Sequence, residues 1–291
     1  MGHMGRSRKA FFLAALIILS GCASGGGDPY NRAVDHYGKG RINASVSDYK
    51  RAIMANPSDP QPKFNLAVIY QDGGKLDEAE RLYNEILQKY PDYAPALSNL
   101  GSIQEKRGMT SAAEQSYRHA MEVDKDNSWT ASQFGYFMLR TGREEEAAAL
   151  FEESIKRDFR CSNAWYGLGL IAEGKGDARA ALKNYDRAIM YNPSDLHACL
   201  KAADIKLARG DIGGAAALLQ KAAAIDPSRG DIQLTLGRLL REEGKFKESE
   251  KVLELARKAG APQAECDREL SVVYGKLSEE AATKAGEAPR N

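Results

Sequence analysis

Seven glycines, Gly40, Gly74, Gly108, Gly142, Gly176, Gly210 and Gly244, follow one another at a fixed interval of 34 residues with no insertion or deletion. A constant period between about 20 and 50 residues is the mark of a stacked array and excludes a single wound domain. Other positions keep the same beat. Seven residues before each glycine stands a small residue: Ala33, Ala67, Gly101, Gly135, Gly169, Ala203 and Gly237. Five after it come Ser45, Ala79, Ala113, Ala147, Ala181, Ala215 and Ser249, and nine after it the bulky Tyr49, Tyr83, Tyr117, Phe151, Tyr185, Leu219 and Leu253. Twelve after it the residue is again small in most repeats (Ala52, Ala120, Ser154, Ala188, Ala222 and Ala256, with Ile86 the exception). Four of the seven places seventeen after it are proline: Pro57, Pro91, Pro193 and Pro227.

The pattern predicts two short amphipathic helices around each glycine. Apolar residues recur at helical spacing before it, as in Leu97, Leu100 and Gly101, or Trp165, Leu168 and Gly169. Glycine ends the first helix because it enters the left-handed region without a side-chain clash. The proline ends the second and suits the start of the next. Small residues on facing turns allow close approach, and the bulky residue fills the space beside them. Such a hairpin cannot bury its apolar face alone, so neighbours stack.

Taken together, the small residue, glycine, alanine, aromatic, alanine and proline at this spacing resemble the tetratricopeptide (TPR) repeat family across nearly the whole chain. The resemblance implies an all-α, right-handed α-solenoid of seven TPR hairpins over residues 28–262, closed by a C-terminal capping helix over 263–277 and a disordered tail over 278–291. In that helix Leu270, Val273, Tyr274 and Leu277 are expected to cover repeat 7, leaving Asp267, Arg268, Glu269 and Lys276 to water.

The first residues carry a different signal. Arg6, Arg8 and Lys9 precede an apolar run from Ala10 to Leu19, which is too short to span a bilayer as a mature helix and reads as a secretion signal over 1–21. Its ending, Leu19-Ser20-Gly21-Cys22, resembles the bacterial lipobox, which implies lipid modification of Cys22 and a flexible spacer over 22–27. Ala23, in place of aspartate, implies by the same resemblance the periplasmic face of the outer membrane. The whole chain holds 41 basic and 40 acidic residues; cleavage removes three basic ones and leaves 38 against 40. A nucleic-acid groove would need a basic excess.

Little here points to chemistry. Gly169-Leu-Ile-Ala-Glu-Gly174-Lys175-Gly176 has the outline of a phosphate loop but ends in glycine and falls at a helix end. His36, His119 and His197 lie in different repeats without paired ligand spacing. Besides Cys22 there are three cysteines, Cys161, Cys199 and Cys266, an odd number that argues against a full disulfide framework. Cys199 and Cys266 are two repeats apart, too far to bridge, Cys161 and Cys199 one repeat apart, and free, mostly buried thiols are expected. No nucleophile is paired with a base, so neither enzymatic activity, a metal, a cofactor nor a small-molecule substrate is expected.

Binding remains. By resemblance the first helix of each hairpin lines an inner groove, through the residues thirteen, ten and six before each ladder glycine. These rows place Tyr30, Val34, Phe64 and Val68 in one apolar strip, and Trp129, Tyr136, Tyr166, Leu170 and Leu200 in a second. Tyr and Trp dominate binding hot spots, so the partners implied are extended or helical segments of other proteins. The resemblance extends to lipid-anchored assembly proteins, the pilotins of type IV pili and the lipoproteins of tight-adherence systems. An adaptor for cell-wall hydrolases and a polysaccharide-binding module are the alternatives.

Overall fold

The computed structural model describes residues 27–286, with side chains to 283. The leader, Cys22, most of the spacer and residues 287–291 lie outside the described residues. All regular structure among the described residues is helical. It falls into two compact units that divide after Phe159. The first holds α1 (Pro29–Gly38) and α2 (Ile42–Ala55), α3 (Pro60–Asp72) and α4 (Leu76–Lys89), α5 (Ala94–Lys106) and α6 (Thr110–Val123), and α7 (Ser128–Arg140) and α8 (Glu144–Arg157). The second holds α9 (Ser162–Gly174) and α10 (Ala178–Tyr191), α11 (Leu196–Ala208) and α12 (Ile212–Ile225), α13 (Gly230–Glu242) and α14 (Phe246–Lys258), and finally α15 (Gln263–Gly286). Each pair is one hairpin of the 34-residue period, and within each unit every hairpin packs on the next.

Every hairpin turns by the same device. The ladder glycine lies two residues past the helix end with φ between 69° and 79°. Its N–H donates to the carbonyl three residues back, and the next N–H to the carbonyl five back, as in Gly176 to Glu173 (2.9 Å) and Asp177 to Ala172 (2.9 Å). These bonds satisfy carbonyls that the helix end would leave orphaned. Gly260 repeats the device, at φ 85°, before α15.

The prolines behave differently from expectation. Pro57 and Pro91 lie one residue past the C-caps Asn56 and Tyr90, and open no helix. Helix starts are made instead by Pro29, Pro60 and Pro95 in the first turn and by caps such as Asp28, Asp59 and Asn127, whose side chains accept from the backbone N–H two residues on.

Inside each hairpin the small residue of the first helix receives the bulky residue of the second. Tyr83, Tyr117, Phe151 and Tyr185 are almost wholly buried there. Burial of a ring this size contributes roughly 2–3 kcal/mol. Where serine replaces alanine at the small places, its hydroxyl finds a carbonyl: Ser45 donates to Ala33 O (2.8 Å), and Ser249 to Gly237 O (2.7 Å). That answers the penalty for a buried polar group.

The last helix departs from its expected bounds and face. It continues to Gly286, so the stretch read as a tail from 278 is helical that far. Cys266, Leu270 and Val273 are buried and Leu277 packs beside them, whereas Tyr274 is 46% exposed. Glu269 turns inward instead, its carboxylate bridging Arg238 (3.0 Å) and Arg241 (3.1 Å). The apolar stripe runs 266, 270, 273, 277, and position 274 lies about 100° around the helix from 273, off that stripe.

Candidate functional site

The nine groove residues expected from the repeat phase all lie on first helices, and all are half-buried. In the first unit Tyr30 and Val34 on α1 and Phe64 on α3 pack on the core of the first hairpins, and Val68 lies half-buried one turn beyond Phe64. Each ring leans on the second-helix ring of its own hairpin: Tyr30 on Tyr49, and Phe64 on Tyr83, both with centroids 5.9 Å apart. Phe64 also meets Tyr93 edge-on at 5.8 Å.

A row of amides holds these rings by their hydroxyls. Asn65 Nδ2 donates to Tyr30 Oη (3.2 Å), Asn99 Nδ2 to Tyr83 Oη (3.0 Å), and Gln61 Nε2 to Tyr93 Oη (2.9 Å). Tyr83 in turn donates to Gln71 Oε1 at 3.0 Å. Burial pushes the Tyr49 and Tyr93 phenols up to about 12. Sequence analysis missed these amides, although Asn31, Asn65 and Asn99 share one phase, nine residues before the ladder glycine.

On α5 the same rows carry Pro95, Ser98 and Ser102, and Ser98 is buried, so the aromatic row is interrupted. On α7 it resumes. Trp129 and Tyr136 lie two turns apart on one face, and Tyr136 meets Phe151 at 4.9 Å. Beside them Arg140 grips Glu105 through two nitrogens, one at 2.7 Å, and Tyr117 Oη reaches the same carboxylate.

The expected second strip is divided by the unit boundary. Trp129 and Tyr136 belong to the first unit; Tyr166 and Leu170 on α9 and Leu200 on α11 belong to the second. There all three pack on one apolar cluster, with Tyr166 5.5 Å from Tyr185. Tyr185 Oη donates to Glu173, which also receives Lys201 Nζ at 2.8 Å. Burial pushes the Glu173 carboxyl up, but these two hydrogen bonds outweigh it and hold the group below the ordinary glutamate value. Asp204 is the opposite case: desolvation raises it, against the pull of Lys201.

Other expectations can be placed as well. Gly169 lies inside α9 beneath Tyr185, and Gly176 is a turn glycine after that helix, so the loop-like stretch sits at a helix C-terminus. A phosphate cradle needs a helix N-terminus. Cys161 is half-buried, Cys199 and Cys266 are buried, and all three are free thiols. No helix among the described residues is long and apolar enough to cross a membrane.

Hairpins of one period, each turning on a left-handed glycine and showing half-buried rings on its first helix, define a helical repeat protein of the interaction-scaffold class. Three family models, each described as tetratricopeptide repeat, match residues 61–126, residues 139–198 and 172–230, and residues 206–268. Together they span well over half of the chain, which belongs to the tetratricopeptide repeat family. Proteins of this family are generally non-enzymatic scaffolds.

Among solved structures, yeast Tom70 is 17% identical, with a TM-score of 0.64 over 89% of this chain and 56% of that one. PilF of Pseudomonas aeruginosa is 18% identical, with a TM-score of 0.58 over 72% and 95%. A tetratricopeptide repeat protein of Parabacteroides merdae is 17% identical, with a TM-score of 0.51 over 85% and 100%. At these identities the likeness is one of fold. A curated relative, a probable biofilm formation methyltransferase of Pseudomonas putida, is 29% identical over 86 residues. The chain spans only 20% of that protein's length, so methyl transfer does not carry over.

Proposed function

We propose that this protein is a membrane-tethered scaffold whose first-helix rings hold segments of other envelope proteins during assembly of a pilus or secretion complex. The observation that carries the binding part is the state of those rings. Tyr30, Phe64, Trp129, Tyr136 and Tyr166 keep part of their surface open, and Tyr30, Phe64, Tyr136 and Tyr166 rest the remainder on the rings beneath them. Rings fixed in this way lose little freedom on binding, which favours affinity. The tether rests on the leader and the Leu-Ser-Gly-Cys22 ending. An anchor on Cys22 would confine the array to the periplasmic face of the outer membrane and raise its effective concentration toward partners there. The pilus or secretion role rests on the resemblance of a lipid-anchored array of this length to pilotins and tight-adherence lipoproteins.

Pull-down from solubilised membranes, comparing the intact protein with the Trp129→Ala/Tyr136→Ala double variant, tests the groove. Loss of specific partners from the variant is the expected outcome, and equal recovery of every partner removes the proposal for that pair. Incorporation of labelled palmitate into the wild type but not into Cys22→Ala tests the tether; labelling of neither would refute it.

A further inference from the structure

The wall of the second unit has a polarity that the first lacks, and it narrows the kind of partner that can lie there. Tyr166, Leu170 and Leu200 form its apolar part. Glu173 stands three residues beyond Leu170 on α9, and Asp204 four residues beyond Leu200 on α11, so both carboxylates lie toward the same end of the strip. Lys201 is the cation between them, and it is spent on Glu173 at 2.8 Å. Asp204 makes no ion pair among the described residues. Arg238 holds the corresponding place on α13, but Glu265 (2.6 Å) and Glu269 (3.0 Å) of α15 engage it. In addition, α9 ends at Gly174, one residue past Glu173, and a helix C-terminus contributes negative potential of its own. Around Glu105 in the first unit, by contrast, Arg140 balances the carboxylate bidentately.

We infer that the second-unit wall binds a polypeptide segment in which an apolar side chain is followed by lysine or arginine. The apolar group covers Tyr166, Leu170 and Leu200, and the cation meets Asp204 beside the Glu173–Lys201 pair. Complementary charge at the rim of an apolar patch sets which partner is accepted and in which direction it lies. The inference rests on the proposed use of the first-helix rings for binding and adds the chemistry of the partner.

Four synthetic peptides of one length test it by calorimetric titration of the protein. The first carries Leu-x-x-Leu followed by Lys-x-x-Lys. The others replace both lysines by Gln, both lysines by Glu, or both leucines by Ser. The lysine peptide is expected to bind roughly tenfold tighter than its glutamine counterpart at low salt, and to lose that margin as salt rises. Asp204→Asn, a change on an exposed side chain, should weaken the lysine peptide roughly threefold and leave the glutamine peptide unaltered. Tyr166→Ala, with its fold checked by circular dichroism, should weaken both. If the glutamine and glutamate peptides bind as well as the lysine peptide while Tyr166→Ala still weakens all of them, the charge inference fails and the ring surface stands. If binding ignores Tyr166→Ala, the ring surface fails here too. No binding of the lysine peptide up to about 1 mM overturns the inference outright.

Discussion

Gly169→Ala separates the two jobs that glycine does in this chain. Gly169 lies inside α9, where an alanine would ordinarily stabilise the helix by about 0.5–1 kcal/mol. A Cβ at that site would stand 2.4 Å from Tyr185 Cε1 and 2.6 Å from Cδ1. Ordinary carbon contacts lie near 3.5–4.0 Å, so the ring would have to withdraw by about 1 Å. Tyr185 is fully buried, tied to Glu173 through its hydroxyl, and packed against Tyr166. Overpacking of this kind typically destabilises by about 1–3 kcal/mol, which exceeds the gain in helix propensity. A net loss of about 1–2 kcal/mol is therefore expected, local to the α9–α10 hairpin. Ala67 faces Tyr83 and Ala203 faces Leu219 in the equivalent places, so the hairpin has known ways to relax, and the lower part of that range is favoured. Because stacked repeats do not unfold in a strict two-state manner, the assay is hydrogen exchange of α9 and α10 read by mass spectrometry, alongside urea unfolding. Tyr185→Leu recreates the Ala203–Leu219 pairing, so the double variant should recover at least about 1 kcal/mol through coupling. A Gly169→Ala protein as stable as wild type, or more so, would refute the packing argument and show that propensity decides.

Several other perturbations have definite outcomes. Gly176→Ala meets no atom within 4 Å, but φ is +74°, so it should destabilise by about 1 kcal/mol through backbone strain alone, and Tyr185→Leu should not rescue it in urea unfolding. Leu270→Ala removes a buried side chain from the α14–α15 contact; at about 2–5 kcal/mol it should undock α15, seen as early proteolysis between Gly260 and Gly286 with the hairpins before it still protected. Ser249→Ala should lose no more than about 1 kcal/mol by thermal melting, since it removes one hydroxyl donor at a place where five repeats already carry alanine. In a Cys22→Ala background a thiol reagent should modify half-buried Cys161 first, while Cys199 and Cys266, buried and with thiols pushed up by desolvation, react only as the chain opens. As the pH falls, the Asp204 carboxyl, held above its ordinary value by desolvation, takes up its proton earlier than a free aspartate would. The preference for the lysine peptide should therefore begin to decline above the ordinary aspartate range. A preference that survived full protonation of Asp204 would place the charge recognition elsewhere.

What the sequence disclosed followed from periodicity. A glycine every 34 residues needs a left-handed backbone, and the small and bulky residues around it need each other; both demands are local and repeat unchanged, so the hairpins were legible. The prolines were misplaced because a residue that cannot extend one helix need not begin the next, and Ser58 and Asp59 separate Pro57 from α3. Tyr274 and Glu269 were assigned by polarity. The true stripe on α15 is set by the direction of α14 and by Arg238 and Arg241 waiting on α13, and neither can be read along one helix. The amide row escaped notice because Asn65, Asn99 and Gln61 are ordinary polar residues until folding places tyrosine hydroxyls opposite them.

That row bears on how the surface can bind. Tyr30 and Tyr93, both half-buried, accept from Asn65 and Gln61 at their hydroxyls and rest one side on Tyr49 and Phe64, so each presents an edge or a face. A partner therefore gains chiefly from covering carbon on such rings, and hydrogen bonding passes to the amides' remaining N–H and C=O groups. Apolar anchors supply affinity on a surface already ordered before contact, and charge at its edge supplies direction. In the first unit that edge is balanced at Glu105 and Arg140; in the second it is negative at Asp204. One repeat phase thus builds walls alike in backbone and different in the side chains they present, because the period constrains the small and bulky residues of the interior and leaves the inner rows free to vary.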